Sequence, residues 1–224
     1  MSNSEQLSPL QQSEKTRLRR SPKRAVFDRE ALYQIFDEAM VAHVGFVQDG
    51  QSYVIPMLVW RWGNRLLIHG SNGSRMIKAL CGEQSICITA TLLDGMVLAK
   101  SAFHHSSNYR SAMVMGSCYV LDDEQDIEQS LEVFMELIAP GRWPHLRPPN
   151  ENELAATTIL AMDIEEASVK IRSGGPVEDD GDLDWPVWTG ELQLRQSLTA
   201  AVTDAHSVGE MQDYSAAWGE RWSL

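Results

Sequence analysis

"VAHVGFVQDGQSYVIPMLVW", residues 41–60, carries the reading on which the fold turns. Two runs rich in Val, Ile and aromatic residues flank Asp49-Gly50. A β-favouring run on each side of Asp-Gly is a strong hairpin signal, because these residues accept the positive φ that a turn matched to strand twist demands. Pro56 stands inside the second run and removes one ladder hydrogen bond, so this strand is expected at a sheet edge or where the backbone turns toward something else. A strand of Pro, Met, Leu and Val could wall a flat ring system, with backbone groups meeting the ring's edge. An ordinary edge strand accounts for the same residues.

Working outward, "RLLIH" (65–69) follows the turn "RWGN" as a third strand, and "SICITATL" (85–92) and "MVLAKSAF" (96–103) predict a second hairpin around Leu93-Asp94-Gly95. "YRSAMVMGSCYVLD" (109–122) reads as a strand with a bend at Gly116. Six short antiparallel candidates at close spacing indicate a barrel or sandwich. Helices punctuate them without regular alternation, which disfavours a doubly wound parallel fold. In "FDREALYQIFDEAM", Leu32, Ile35, Phe36, Ala39 and Met40 fall at i, i+3, i+4, i+7, i+8, and Asp28 is placed to cap the start. "DIEQSLEVFMELIAPG" puts Ile127, Leu131, Phe134, Met135 and Ile138 on one face and stops at Pro140-Gly141. "NENELAAT" opens with Asn150 and Glu153 in capping-box spacing, and "TILAMDIE" and "SVKIR" read as further strands. "SGGPVEDDGDLD" (173–184) is an acidic loop, "WPVWTGELQLR" (185–195) a compact aromatic segment, and beyond 197 only two Trp residues suggest local docking.

A chain of 224 residues with 43% hydrophobic content fits one domain with a real core. A formal charge of −12 and a pI near 4.9 argue against a nucleic-acid or anionic-membrane binder, since both partners reward Lys and Arg. The basic side chains of residues 1–24 (Lys15, Arg17, Arg19, Arg20, Lys23, Arg24) predict a disordered, solvated N-terminal arm, leaving a domain over 25–196 and an extension over 197–224. No apolar run reaches the roughly 18 residues of a membrane span and no signal-peptide core is visible, so a cytoplasmic protein is expected. Cys81, Cys87 and Cys118 lack C-x-x-C spacing, which suits reduced thiols.

Two further stretches carry chemistry. In "HGSNGSRMIKALCG" (69–82) a strand ends on His69, four small residues follow, and Ser74-Arg75 opens a short helix. Backbone N–H groups at a helix start with an Arg beside them make an anion site, and an anion would relieve the Arg of facing the positive end of the helix dipole. A plain Gly-Ser turn is the alternative. In "AFHHSSNYRS" (102–111) the histidine pair invites a metal. Adjacent strand residues point to opposite faces, however, and no Cys, Asp or Glu lies nearby at ligand spacing, so no metal site is expected. Tyr109, Arg110 and Ser111 open the next strand, where their polar groups could border a ligand. No G-x-S-x-G elbow or carboxylate pair supports a hydrolase.

Taken in order, "VIPMLVW", "HGSNGSRM", "LLDG", "SAFHHSSNYRS", "PGRW" and "PVWTG" resemble the pyridoxamine 5'-phosphate oxidase-like superfamily of FMN-binding split barrels, especially its nitroimidazole-resistance-type flavoproteins. The resemblance implies a mainly β fold: a six-stranded antiparallel split β-barrel of Greek-key type with peripheral α-helices. It implies FMN as cofactor, in a cleft shared between the subunits of a homodimer. Val54, Ile55, Pro56, Met57, Leu58 and Val59 then line the flavin. His69, Gly70, Ser71, Ser74, Arg75 and Met76 surround its phosphate, Tyr109, Arg110 and Ser111 border it, and Trp188 and Arg195 match the family's C-terminal motif. Met76 and Val59 stand where the oxidases carry Lys, and the residues that grip pyridoxal phosphate have no counterpart, which argues against pyridoxamine-phosphate oxidation. The implied activity is an oxidoreductase that reduces a small nitroaromatic- or quinone-like molecule with electrons from NAD(P)H. Its alternative is a non-catalytic flavin module for storage, sensing or assembly. His69 is the titratable candidate for contact with flavin or substrate, with a structural hydrogen-bonding role as the other reading.

Overall fold

The structure, a computed structural model, describes residues 8–82 and 84–221. In chain order its elements are β1 (Ala25–Val26), α1 (Arg29–Ala39), β2 (Val41–Gln48), β3 (Gln51–Leu58), β4 (Trp60–Trp62), β5 (Arg65–Ser71), α2 (Arg75–Leu80), β6 (Ile86–Leu98), β7 (Ser106–Gly116), β8 (Tyr119–Val120), α3 (Glu124–Ile138), α4 (Glu151–Ala156), β9 (Thr157–Asp163), β10 (Glu166–Arg172), β11 (Gly190–Gln193) and α5 (Ser215–Arg221). The fold is mainly β, with every strand pair antiparallel and the helices peripheral. Instead of six strands there are two sheets, one of seven strands ordered β1-β10-β7-β6-β2-β3 with β11 also on β6, the other ordered β4-β5-β9-β8.

The Asp-Gly hairpin forms as its sequence dictates. β2 and β3 pair from Val41↔Leu58 to Gln48↔Gln51, with Asp49 at φ 50° and Gly50 at φ 74°. β3 is an edge strand, so Pro56 sits where a missing donor is tolerated. Tyr53, Ile55 and Met57 pack against the core while Val54, Pro56 and Leu58 face out.

Leu93-Asp94-Gly95 does not turn a hairpin. β6 runs unbroken through it and absorbs the irregularity as a register shift against β7 between Leu93 and Gly95. A Cβ on Gly95 would lie 2.9 Å from the Leu192 carbonyl oxygen, so the glycine admits β11 alongside. Asp-Gly there serves a bulge because a third strand occupies the position that a turn would close.

Under the larger sheet, the Asp28-capped α1 buries Leu32, Tyr33, Ile35 and Phe36 against Val44, Ile88, Val114 and Val169. Burying each such side chain contributes about 1.5–3 kcal/mol. A second, smaller core joins Trp60, Leu67, Leu121, Ile159 and Ala161 to the α3 side chains Ile127, Leu131, Val133, Phe134 and Leu137. The capping box at α4 forms, with Asn150 and Glu153 each accepting from the other's backbone N–H.

The described part of the N-terminal arm is not a free, solvated tail. Leu10 and Thr16 are buried, the Leu10 N–H donates to the Phe27 carbonyl at 2.8 Å, and Lys15 pairs with Glu166 at 3.1 Å. Lys15, Arg17, Arg19, Arg20 and Lys23 stay exposed while Leu10 and Thr16 anchor the irregular segment that carries them. Residues 1–7 lie outside the described residues, as does Trp222 of the C-terminal extension; Trp218 of α5 docks by donating its indole N–H to the Ile138 carbonyl at 2.9 Å. Among the described residues no helix is long and apolar enough to cross a membrane.

Candidate functional site

The loop after β5 is held by its own small residues. Ser71 Oγ accepts from the Gly73 N–H, the Ser71 carbonyl accepts from the Ser74 N–H, and Ser74 Oγ caps α2 at the Ile77 N–H. Asn72 ties the loop to α4 and β9 through the Ala155 carbonyl at 2.7 Å and the Thr158 hydroxyl at 2.6 Å. Gly70 is required by close approach: a Cβ there would lie 2.7 Å from Ile77 Cγ1. Arg75 is exposed, its guanidinium 4.5 Å over the Tyr53 ring, and it makes no ion pair among the described residues. Stacked on β3's aromatic and free of carboxylates, it is available to an anion.

Met76 and Val59 are core side chains, 8% and 1% exposed, so a ligand could meet only their backbone. Met76 belongs to the larger core cluster and offers no charge to a ligand.

One strand position earlier, His69 faces a different environment. Its ring lies 5.7 Å from Trp60 and 5.5 Å, edge-on, from Phe134, and its Nδ1 is buried with no hydrogen-bond partner among the described residues. Burial lowers its pKa below the ordinary imidazole value, so the ring is neutral at pH 7. It borders a cavity of about 330 Å³, walled by Leu121, Ile127, Leu131, Leu154 and Ile159. Val120 and Leu154 leave the rim apolar and exposed. A neutral imidazole at the mouth of an apolar cleft, with one ring nitrogen unsatisfied, is suited to bind a metal centre or a flat apolar ligand.

The remaining expected residues gather elsewhere. Arg110 is clamped by Glu38 at 2.7 Å and Asp94 at 3.0 Å. Burial works against its charge, but hydrogen bonds to those carboxylates outweigh it and raise the pKa further. Arg110 and Arg195 share a second cavity, about 240 Å³, with Leu92, Leu93, Asp94 and Leu194. Ser111 Oγ donates to the Lys170 carbonyl at 3.1 Å, across the sheet. Trp188 is 62% exposed beside Gly190. Within one chain, then, His69 borders one cavity and Arg110 and Arg195 another, while Arg75 lies in neither lining and stacks on Tyr53 of β3.

Trp60, Phe134 and the cavity wall were not legible as site residues. Their sequence signal, an apolar helix face and a β-favouring run, is the same one that ordinary packing produces. His104 lies in a turn and His105 between that turn and β7, so neither is in a strand, and the topology carries Asp179 and Asp182 to His104 from far along the chain. Cys118 is an inert buried thiol, its pKa pushed up to about 12 chiefly by burial.

The profile of the pyridoxamine 5'-phosphate oxidase family matches residues 28–171. The chain belongs to this family. Among solved structures, the flavocytochrome Anf3 from Azotobacter vinelandii is 35% identical, with a TM-score of 0.84 over 90% of this chain and 94% of that one. The FAD and haem binding protein from Mycobacterium smegmatis is 32% identical, with a TM-score of 0.81 over 87% of this family member and 96% of its own length. A Bacteroides thetaiotaomicron protein assigned provisionally to 5-nitroimidazole antibiotic resistance shares the fold, at 18% identity and a TM-score of 0.56 over 66% of this chain and 86% of that one. No curated protein sequence matches the chain.

Proposed function

We propose that this member of the pyridoxamine 5'-phosphate oxidase family is a redox protein that carries both a flavin and a haem. The reading rests on the two relatives above 30% identity, one a flavocytochrome and the other a binder of FAD and haem, each aligned over most of this chain. The observation that carries it here is His69: neutral, held by Trp60 and Phe134, its Nδ1 without a partner, at the edge of an apolar cleft. An axial haem ligand needs a neutral imidazole, and a porphyrin needs apolar walls, so the residues fit the group. The cleft is smaller than a porphyrin, and its exposed apolar rim would leave part of the ring to a second surface.

The flavin belongs one strand position on. Arg75, exposed over Tyr53 of the edge strand β3 and without an ion pair among the described residues, suits a phosphate. Phosphate recognition is common to FMN and FAD; the relative named for FAD favours FAD over the FMN that the family resemblance implies. Bound together, the flavin would supply two-electron chemistry and the haem one-electron chemistry. The protein's part is to keep His69 neutral and oriented, and to fix loop 70–76 beside it through β5. Reduced nicotinamide is the proposed electron source and a small molecule the proposed acceptor. Because Arg110 and Arg195 lie apart from His69 within one chain, a homodimer sharing its cofactor clefts is part of the proposal.

Protein expressed with haem and flavin supply should show a Soret band, and acid-released flavin separated by chromatography should be FAD. His69→Ala should lose the haem band and retain flavin. Full haem content in that variant would remove His69 from the site, and release of FMN alone would restore the narrower cofactor assignment.

A further inference from the structure

The turn at 101–104 and the acidic loop at 173–184 meet in space and are already partly tied. The Lys100 N–H donates to Glu178 Oε1 at 3.0 Å, and Lys100 Nζ donates to the Trp185 carbonyl at 2.6 Å. His104 stands between them. Its Nδ1 lies 3.9 Å from Glu178 Oε2 and its Nε2 lies 3.7 Å from Asp179 Oδ2. One ligand atom each from His104, Asp179 and Asp182 lies within 4.8 Å of the others.

A cluster of this kind on a surface is commonly only a solvated acidic patch, but Glu178 departs from that picture. Its side chain is 9% exposed, and among the described residues its buried Oε2 has no hydrogen-bond partner, nor has His104 Nδ1 opposite. The two atoms are 3.9 Å apart, beyond hydrogen-bond length; closed to that length, a buried carboxylate would hold the proton on the nitrogen it faces and leave the other with its lone pair outward, the arrangement that supports metal-ligating histidines. Here the outward nitrogen is Nε2, on the side of Asp179. One imidazole nitrogen and two carboxylate oxygens, with room for water, suit a borderline divalent ion; Ca²⁺ prefers six to eight oxygens and Mg²⁺ a mostly hydrated octahedron. Zinc bonds of about 2.0–2.2 Å require ligand atoms about 3.4 Å apart, a contraction that the 80% exposed Asp179 can make by rotamer change.

We propose that His104, Asp179 and Asp182 form a site for a divalent cation of the zinc class, with Glu178 orienting the imidazole, and that the ion staples the acidic loop to the turn at 101–104. The loop leads directly into Trp188 and β11, so the ion would restrain the segment that ends at Arg195. This site shares no residue with the His69 cleft and does not depend on the reading given to that cleft.

The test is zinc titration of the full chain after chelator treatment, followed by calorimetry, with metal analysis after gel filtration. One zinc per chain is expected. Asp179→Asn and Asp182→Asn should each weaken binding by roughly tenfold or more. Glu178→Gln should retain the stoichiometry and weaken binding by roughly tenfold to a hundredfold, as outer carboxylates of metal-bound histidines do. Circular dichroism of the exposed Asp179→Asn variant controls for folding. Absence of saturable zinc binding, an unchanged isotherm in the Asp179→Asn/Asp182→Asn double variant, or tighter binding of Ca²⁺ than Zn²⁺ would overturn the proposal.

Discussion

His69 and His104 are set up by opposite means. His69 lies against Trp60 and Phe134 at a mostly aliphatic cavity whose one carboxylate among the described lining residues, Glu153, is paired with Arg147. His104 lies between Glu178 and Asp179. An imidazole half-buried among apolar side chains is disfavoured as the cation, and as the neutral ring it suits an apolar ligand or a soft or borderline centre. An imidazole with a carboxylate oxygen near each ring nitrogen has groups beside it that can share a bound cation. The same residue type therefore points to two different ligands, and the surroundings decide which.

The severest way to break the comparison is to remove the wall of the first site. Trp60 is 0% exposed and central to the smaller core, so Trp60→Ala should cost about 3–5 kcal/mol in urea unfolding and strip His69 of its stacking partner. Loss of under 1 kcal/mol would show that the aromatic cluster does not hold His69. At the second site the expected effect is a gain. An ion that binds only the folded chain, at a hundredfold excess over its Kd, adds about 2.7 kcal/mol, a rise in Tm of roughly 5–10 °C for a domain this size. Zinc at that concentration should raise the Tm of the native sequence at least about twice as far as that of Asp182→Asn, whose affinity is expected to be roughly tenfold weaker; equal shifts in both would place the ion elsewhere.

Between these in character and below them in size comes the joint of β5 and α2. Gly70→Ala puts a methyl 2.7 Å from Ile77 Cγ1, and Ile77 is 2% exposed, so the contact cannot relax freely. Overpacking should cost about 1–3 kcal/mol and push α2, with Arg75, away from β5. Adding Ile77→Val should restore part of that stability and of the flavin affinity. If Gly70→Ala binds flavin as tightly as the native chain, the placement of Arg75 by α2 is not what the cofactor uses.

These sites were unequally legible in the sequence, for a physical reason. The Asp49-Gly50 hairpin, the Asp28 cap, the Asn150 capping box and the loop after His69 are made by residues a few positions apart, so local chemistry announces them. The Leu93-Asp94-Gly95 stretch looked the same but depends on β11, nearly a hundred residues on, which turns a hairpin signal into a bulge. Likewise the paired histidines lacked nearby ligands in sequence, while the segment that supplies them read only as an acidic loop. The His69 cavity needed α3 and β9 to close it, and neither carries a pattern distinguishable from core packing.

The smallest expected effect is a slope with pH, and it tests the neutrality of His69 directly. Burial lowers its pKa in the folded chain below the ordinary 6.5. Between that lowered value and 6.5 the unfolded chain binds a proton that the folded chain refuses, so stability rises with pH across the window and falls as the solution is acidified through it. Above the window the contribution is fully present and flat. His69→Gln has no such group. Urea midpoints of protein purified without added cofactor, taken at about pH 7.5 and about pH 5.5, should therefore drop further for the native chain than for the variant, with the difference isolating His69 from the other titrating groups. Parallel losses would mean that the imidazole charges as readily in the folded chain as in the unfolded one. The contrast with His104 would then rest on geometry alone.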